Sequence, residues 1–201
     1  MSQVSNIPDK SDKSDKPLEW FTIVKWLNFS KIFFIIGAIV FAITTLTGST
    51  EGNIASYSYM TVGVLITMFM VSIMASMVMA KNGGMMGIIK TIGPLIIPGC
   101  FLLIPLSILI YIFYTTGPII ESNSSNLPPI FYKINIAAFI SILTQAFLLT
   151  KFYENEILSY TTNKKDNKKW LYISGLVLSS IITCAISVEL YVIIKAFLTD
   201  G

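Results

Sequence analysis

Five stretches of this chain stay apolar for roughly the length a helix needs to cross a bilayer, with few charges inside them. They cover about residues 31–47, 57–80, 92–114, 130–152 and 170–196. Lipid offers no water to the backbone, so a crossing segment must pair its own N–H and C=O groups, as a continuous helix does. Composition points the same way: 54% of the 201 residues are hydrophobic and 12% are charged, about half the charged share of a soluble domain. The expected fold is an all-α integral membrane protein, a bundle of five transmembrane helices with a short N-terminal interfacial helix.

The flanks set the domain organisation. Residues 1–17 contain "DKSDKSDK", whose balanced charge and lack of apolar residues predict a disordered cytoplasmic tail. Residues 18–29, "LEWFTIVKWLNF", place Trp20, Phe21, Val24 and Leu27 on one helical face. Trp20 and Trp26 suit the headgroup region, so an interfacial amphipathic helix is expected, with an extension of span one as the alternative. Residues 30–198 form the transmembrane domain. The first 29 residues hold lysines and acids rather than an early apolar stretch with a cleavage site, so span one is expected to act as its own insertion signal.

The lysines orient the chain. Lys10, Lys13, Lys16, Lys25 and Lys31 precede or open span one, Lys81 and Lys90 lie between spans two and three, and Lys151, Lys164, Lys165, Lys168 and Lys169 lie between spans four and five. Twelve of fourteen lysines thus fall on one side, leaving Lys133 and Lys195 on the other. Excess lysine marks the cytoplasmic face. The N-terminus is expected in the cytoplasm and the C-terminus in the lumen or outside, in an internal membrane of a virus or of the endomembrane system.

"GPLIIPGCFLLIP", residues 93–105, sets helix breakers inside an apolar run. A re-entrant segment would switch the side of every later loop and carry "NKKDNKK" outward, against the lysine bias. A single crossing starting near Gly93 is expected, with Pro94 in the first turn, where its missing N–H costs nothing. Pro98 and Pro105 are then internal and free the carbonyls of Pro94 and Phe101. Such carbonyls need neighbours, so the kinked side should face other helices. A packing helix is the expected role, with a gating hinge as the alternative.

Chemistry is sparse. The chain has no histidine, the usual base near neutral pH and the commonest metal ligand. It has no arginine either, so it lacks the bidentate clamp for carboxylates and phosphates. No catalytic, cofactor-binding or metal-ligating set is expected. Cys100 and Cys184 fall inside apolar runs and read as small buried residues. Glu189 and Lys195 lie near the outer end of span five, within snorkelling reach of the interface. "KNGGMMG" lacks a preceding strand and a GK[ST] ending, and reads as a tight turn. Met70, Met74 and Met77 share a helical face. Thioethers bind Cu(I), but adaptable packing is the expected use here.

Uncharged polar residues inside the spans say more. Gly175, Ser179, Thr183 and Ser187 recur every four residues along span five, and Ser141 and Gln145 do the same on span four with Thr144 beside them. Ala38 and Ala42 on span one, and Ser72 and Ser76 on span two, offer further small faces. Membrane helices approach closely through such faces. Helix packing is the expected reading, and a polar conduction path the alternative.

Two loops invite contacts. "TGPIIESNSSNLPPIFYK" carries Asn123-Ser124-Ser125, a glycosylation acceptor pattern on the lumenal side, with Pro118, Pro128 and Pro129 keeping it extended. "YENEILSYTTNKKDNKKW" ends in Lys164, Lys165, Lys168 and Lys169 beside Trp170. Ordinary positive-inside anchoring is the expected role of those lysines, with contact to anionic lipid, at about 1 kcal/mol each, as the alternative.

The five-span plan with a polar N-terminal tail resembles that of several small trafficking proteins. The isoleucine-, lysine- and asparagine-rich composition is similar to that of small membrane proteins encoded by AT-rich genomes, including large DNA viruses with an internal membrane. A structural or assembly role is therefore expected: a non-enzymatic protein organising a membrane and contacting neighbouring membrane or coat proteins. The alternative is a small oligomeric channel or transporter using the kinked third span and the polar face of the fifth. Nucleic acid is not expected as a partner.

Overall fold

The computed structural model describes residues 16–47, 49–80, 84–122, 127–162 and 168–199. Within them, side chains are described except at 16–24, 26–27, 74–80, 84–95, 119, 157–162 and 198–199. The described chain is all-helical: α1 (Lys16–Thr47), α2 (Thr50–Ala80), α3 (Gly84–Ser122), α4 (Pro129–Thr162) and α5 (Lys169–Thr199). All five are long and apolar enough to span a membrane.

The helices overrun the expected spans. Residues 18–29 continue α1 without a break rather than forming a separate helix. α3 starts at Gly84 rather than near Gly93 and ends at Ser122. Pro94 therefore lies inside the helix rather than in its first turn, Pro118 is helical rather than part of an extended loop, and Gly84 to Gly87 belong to α3 rather than to a turn. At about 1.5 Å per residue, the 39 residues of α3 reach about 58 Å, nearly twice the hydrocarbon thickness. α4 continues through Thr162, so the first half of the expected inner loop is helical. Hydropathy marks the lipid-buried part of a helix; the polar turns beyond it carry no such signal. Residues 1–15, Asn123, Lys164 and Lys165 lie outside the described residues.

Local signals fix the helix starts. Ser49 caps α2: its Oγ accepts the N–H of Gly52 at 3.2 Å, satisfying one orphan donor of the first turn. Glu51 adds negative charge there, favourable at the positive end of the helix dipole. Pro129 takes the first position of α4, where no N–H is needed, and Phe131 N–H closes onto Pro128 O at 2.9 Å.

The packing is cyclic but out of chain order: α1 lies on α2, α2 on α3, α3 on α5, α5 on α4, and α4 returns to α1 along the sparsest seam. α1 and α2 meet through small residues seven apart. Ser56 Oγ donates to Gly37 O at 2.6 Å, and a Cβ on Gly37 would stand 3.0 Å from Ser56 O. One heptad away, a Cβ on Gly63 would stand 3.3 Å from Ser30 O. Serine on one helix thus lies against glycine on the other at both levels, which lets the backbones approach. Ala38 and Ala42 sit off this seam, Ala42 on the exposed side.

The core follows from the apolar inward faces. Tyr57 of α2 is fully buried among Phe41 of α1, Phe113 of α3 and Phe139 of α4. Its hydroxyl donates to Asn135 Oδ1 of α4 at 3.1 Å, giving both buried polar groups a partner. Phe41 and Phe139 stack with centroids 3.7 Å apart. Pro98 and Pro105 are buried on the inward side of α3. Cys184 is half-buried, whereas Cys100 is exposed on the outer surface of α3 rather than buried as the apolar run suggested.

Candidate functional site

Two polar clusters stand out in the apolar bundle. The first joins α4 to α5. Gln145 is fully buried, and so are Thr183 and Ser187, while Ser141, Ser179 and Gly175 are half-buried. Thr183 Oγ1 donates to Ser179 O one turn back at 2.8 Å. Its only proton is then committed, so the same oxygen accepts from Ser141 Oγ at 2.6 Å and from Gln145 Nε2. Gln145 Nε2 also donates to Ser179 O at 3.2 Å. Because Ser179 O can only accept, the amide nitrogen must face it, and Gln145 Oε1 is left buried without a hydrogen-bond partner. Ser187 Oγ turns back onto Thr183 O at 2.7 Å. At the other end of the stripe, a Cβ on Gly175 would meet Leu148 Cδ1 at 3.2 Å.

The period-four stripe of α5 therefore lies on α4. The Thr183 hydroxyl is held by α4 side chains and the α5 backbone, the Ser187 hydroxyl by the α5 backbone, and Ser179 takes part through its backbone carbonyl. Thr144, beside this group in sequence, points outward and bonds to Ile140 O at 2.9 Å. Glu189 is exposed, off the α4-facing side. Met70 is half-buried, and the side chains of Met74 and Met77 lie outside the described residues.

The second cluster was not singled out in the sequence. At one end of the bundle Lys31 of α1 lies 2.6 Å from Glu154 Oε1 of α4, and Lys151 of α4 lies 2.7 Å from Glu154 Oε2. Lys169, at the start of α5, pairs with Glu156 at 2.7 Å and stands over the Phe152 ring at 5.8 Å. Lys168 is exposed beside it. Lys31 also donates to Asn28 Oδ1 at 3.0 Å. Only the spacing of Lys151 and Glu154, one helical turn apart, was a local signal; Lys31 lies 123 residues from Glu154. At the opposite end, Thr50 of α2 donates to Glu121 of α3.

Charge is unequal between the ends. Among the described side chains, Lys25, Lys31, Lys151, Lys168 and Lys169 share one end with Glu154 and Glu156, while Lys133 and Lys195 share the other with Glu51, Glu121 and Glu189. Among the described residues, no group of three His, Cys, Asp or Glu side chains is placed to hold a metal ion.

Five long apolar helices define the class, a multi-pass α-helical membrane protein. Within that class the chain matches no protein-family model, no curated protein and no solved structure.

Proposed function

We propose that this is a non-enzymatic structural or assembly protein, a helical body that organises a membrane and presents short connections to neighbouring membrane or coat proteins. The observation that carries the reading is the closure of the α4–α5 polar cluster. Most side chains a conduction path would use are engaged: Ser141, Gln145 and Thr183 bond across the interface, Ser179 joins them through its backbone carbonyl, and Ser187 bonds within α5. The tight Ser–Gly seam between α1 and α2 suits a rigid body as well. The lysine-rich end is assigned to the cytoplasm, which puts the N-terminus there and the C-terminus on the lumenal or outer face. The membrane is an internal one, of a virion or of the endomembrane system. Lys164, Lys165, Lys168 and Lys169 then lie where anionic lipid can reach them.

Cross-linking in the native membrane, from residues 118–130 and 154–169, tests the role. A reproducible coat or scaffold neighbour supports it. A homo-oligomer alone, with solute flux on reconstitution, overturns it.

One observation favours a channel or transporter as the second reading: the buried Gln145 Oε1 has no donor, and a permeating water or solute could supply one. Flux that disappears in both Gln145→Leu and Ser179→Leu would carry that reading.

A further inference from the structure

The lysine-rich end of the α1–α4 seam has more donors than acceptors. Glu154 is the shared counter-ion of Lys31 and Lys151, so among the described side chains one unit of positive charge stays uncompensated there. Each ammonium offers three N–H donors. Lys31 uses two, on Glu154 and Asn28, and Lys151 uses one, on Glu154. Next along α4, Asn155 holds a buried Nδ2 with no acceptor. The neighbouring Glu156 is itself paired with Lys169. Side-chain exposures of 37% for Lys31 and 43% for Lys151 leave both ammonium groups open to the surroundings. Both residues fall inside the candidate membrane spans of α1 and α4, near the end of each. At that depth the surroundings are lipid headgroups, and the anion in reach is a phosphate.

We propose that the lysine-rich end of the α1–α4 seam binds the phosphate of an anionic lipid through Lys31 and Lys151, with Glu154 as the internal competitor for both. The site rests on the membrane reading above and is separate from the loop lysines. Lipid phosphate takes up the spare donors, and Lys151 Nζ also stands over the Phe147 ring, 5.9 Å from its centroid. The α1–α4 seam is the sparsest of the ring, so a lipid bridging Lys31 and Lys151 also ties its two helices together.

The test uses the full chain in phosphatidylcholine nanodiscs carrying a minority of phosphatidic acid, with retained lipid read by native mass spectrometry. Lys31→Gln with Lys151→Gln should lower phosphatidic acid retention roughly twenty-five-fold, at about fivefold per lysine. Glu154→Gln should raise it, because both ammonium groups lose their competitor. A merely structural cluster would lose retention in both variants, or in neither, and either result overturns the proposal. Where the double glutamine variant does not fold, Lys31→Arg with Lys151→Arg keeps the charge and should keep retention; a loss there overturns the proposal. Inorganic phosphate added in excess should not displace the lipid, and full displacement would reassign the site to free phosphate. Protease protection of the spans, measured in the same discs, reports on the membrane reading alone. Lost protection sinks that reading, whereas unchanged retention with protection intact sinks only the lipid site.

Discussion

Lys31 Nζ of α1 stands 2.6 Å from Glu154 Oε1 of α4, a contact between residues 123 apart in sequence. With the Phe41–Phe139 stack, it closes a seam that has few other contacts. The pair is about a third exposed on each side, so solvent and headgroups screen it. A double-mutant cycle with Lys31→Gln and Glu154→Gln, read by unfolding in detergent, should give a coupling below about 1 kcal/mol. A coupling of several kcal/mol would mean that the pair is sealed from its surroundings.

Thr183 should matter more to the α4–α5 interface than Gln145. Thr183→Val removes the shared oxygen and strands Ser141 Oγ and one Gln145 donor, a cost of about 1–2 kcal/mol. Gln145→Leu removes two bonds together with the orphaned Oε1, and should cost less than about 1 kcal/mol. Unfolding in a mixed micelle series orders the two variants, and the reverse order would refute the assignment of the cluster.

The glycines divide by what surrounds them. Gly37→Ala pushes a methyl to 3.0 Å from the backbone oxygen of Ser56 and 2.9 Å from Met60 Cγ, and should destabilise by about 1–3 kcal/mol. Gly175→Ala meets only the flexible end of Leu148, and the gain in helix propensity, up to about 1 kcal/mol, should offset the contact. Thermal unfolding of the two variants checks the contrast.

Cys100 and Cys184 lie in apolar spans, one facing outward from the bundle and one half-buried. A hydrocarbon layer keeps a charged, water-borne reagent away from such positions. Both thiols should resist a membrane-impermeant maleimide in intact membranes and react once the protein is unfolded in detergent. Rapid labelling of Cys100 in intact membranes would place the outer face of α3 in water.

Tags on the two ends should be accessible from opposite faces of the membrane, as an odd number of crossings demands. Access to both from one compartment would remove one span from the arrangement.

The number of apolar helices, and the polar stripe of α5, could be read directly from the chain. The cost of moving a segment into lipid is a local sum over its own residues, so a run of suitable length announces itself. A stripe of small and hydroxylated residues likewise follows from the helical repeat alone, as Gly175, Ser179, Thr183 and Ser187 do. The Ser30–Gly37 and Ser56–Gly63 spacings were also present in the sequence, but a spacing gains meaning only when its counterpart on another helix is known. The tertiary structure decided which faces meet: the α5 stripe lies on α4, α5 rather than α4 follows α3 around the ring, and Lys31 finds Glu154. It also decided how far each helix continues past its apolar stretch. These outcomes depend on shape and charge matching between segments far apart in the chain. Lipid rewards burial of every apolar face nearly equally, so hydrophobicity cannot choose among them.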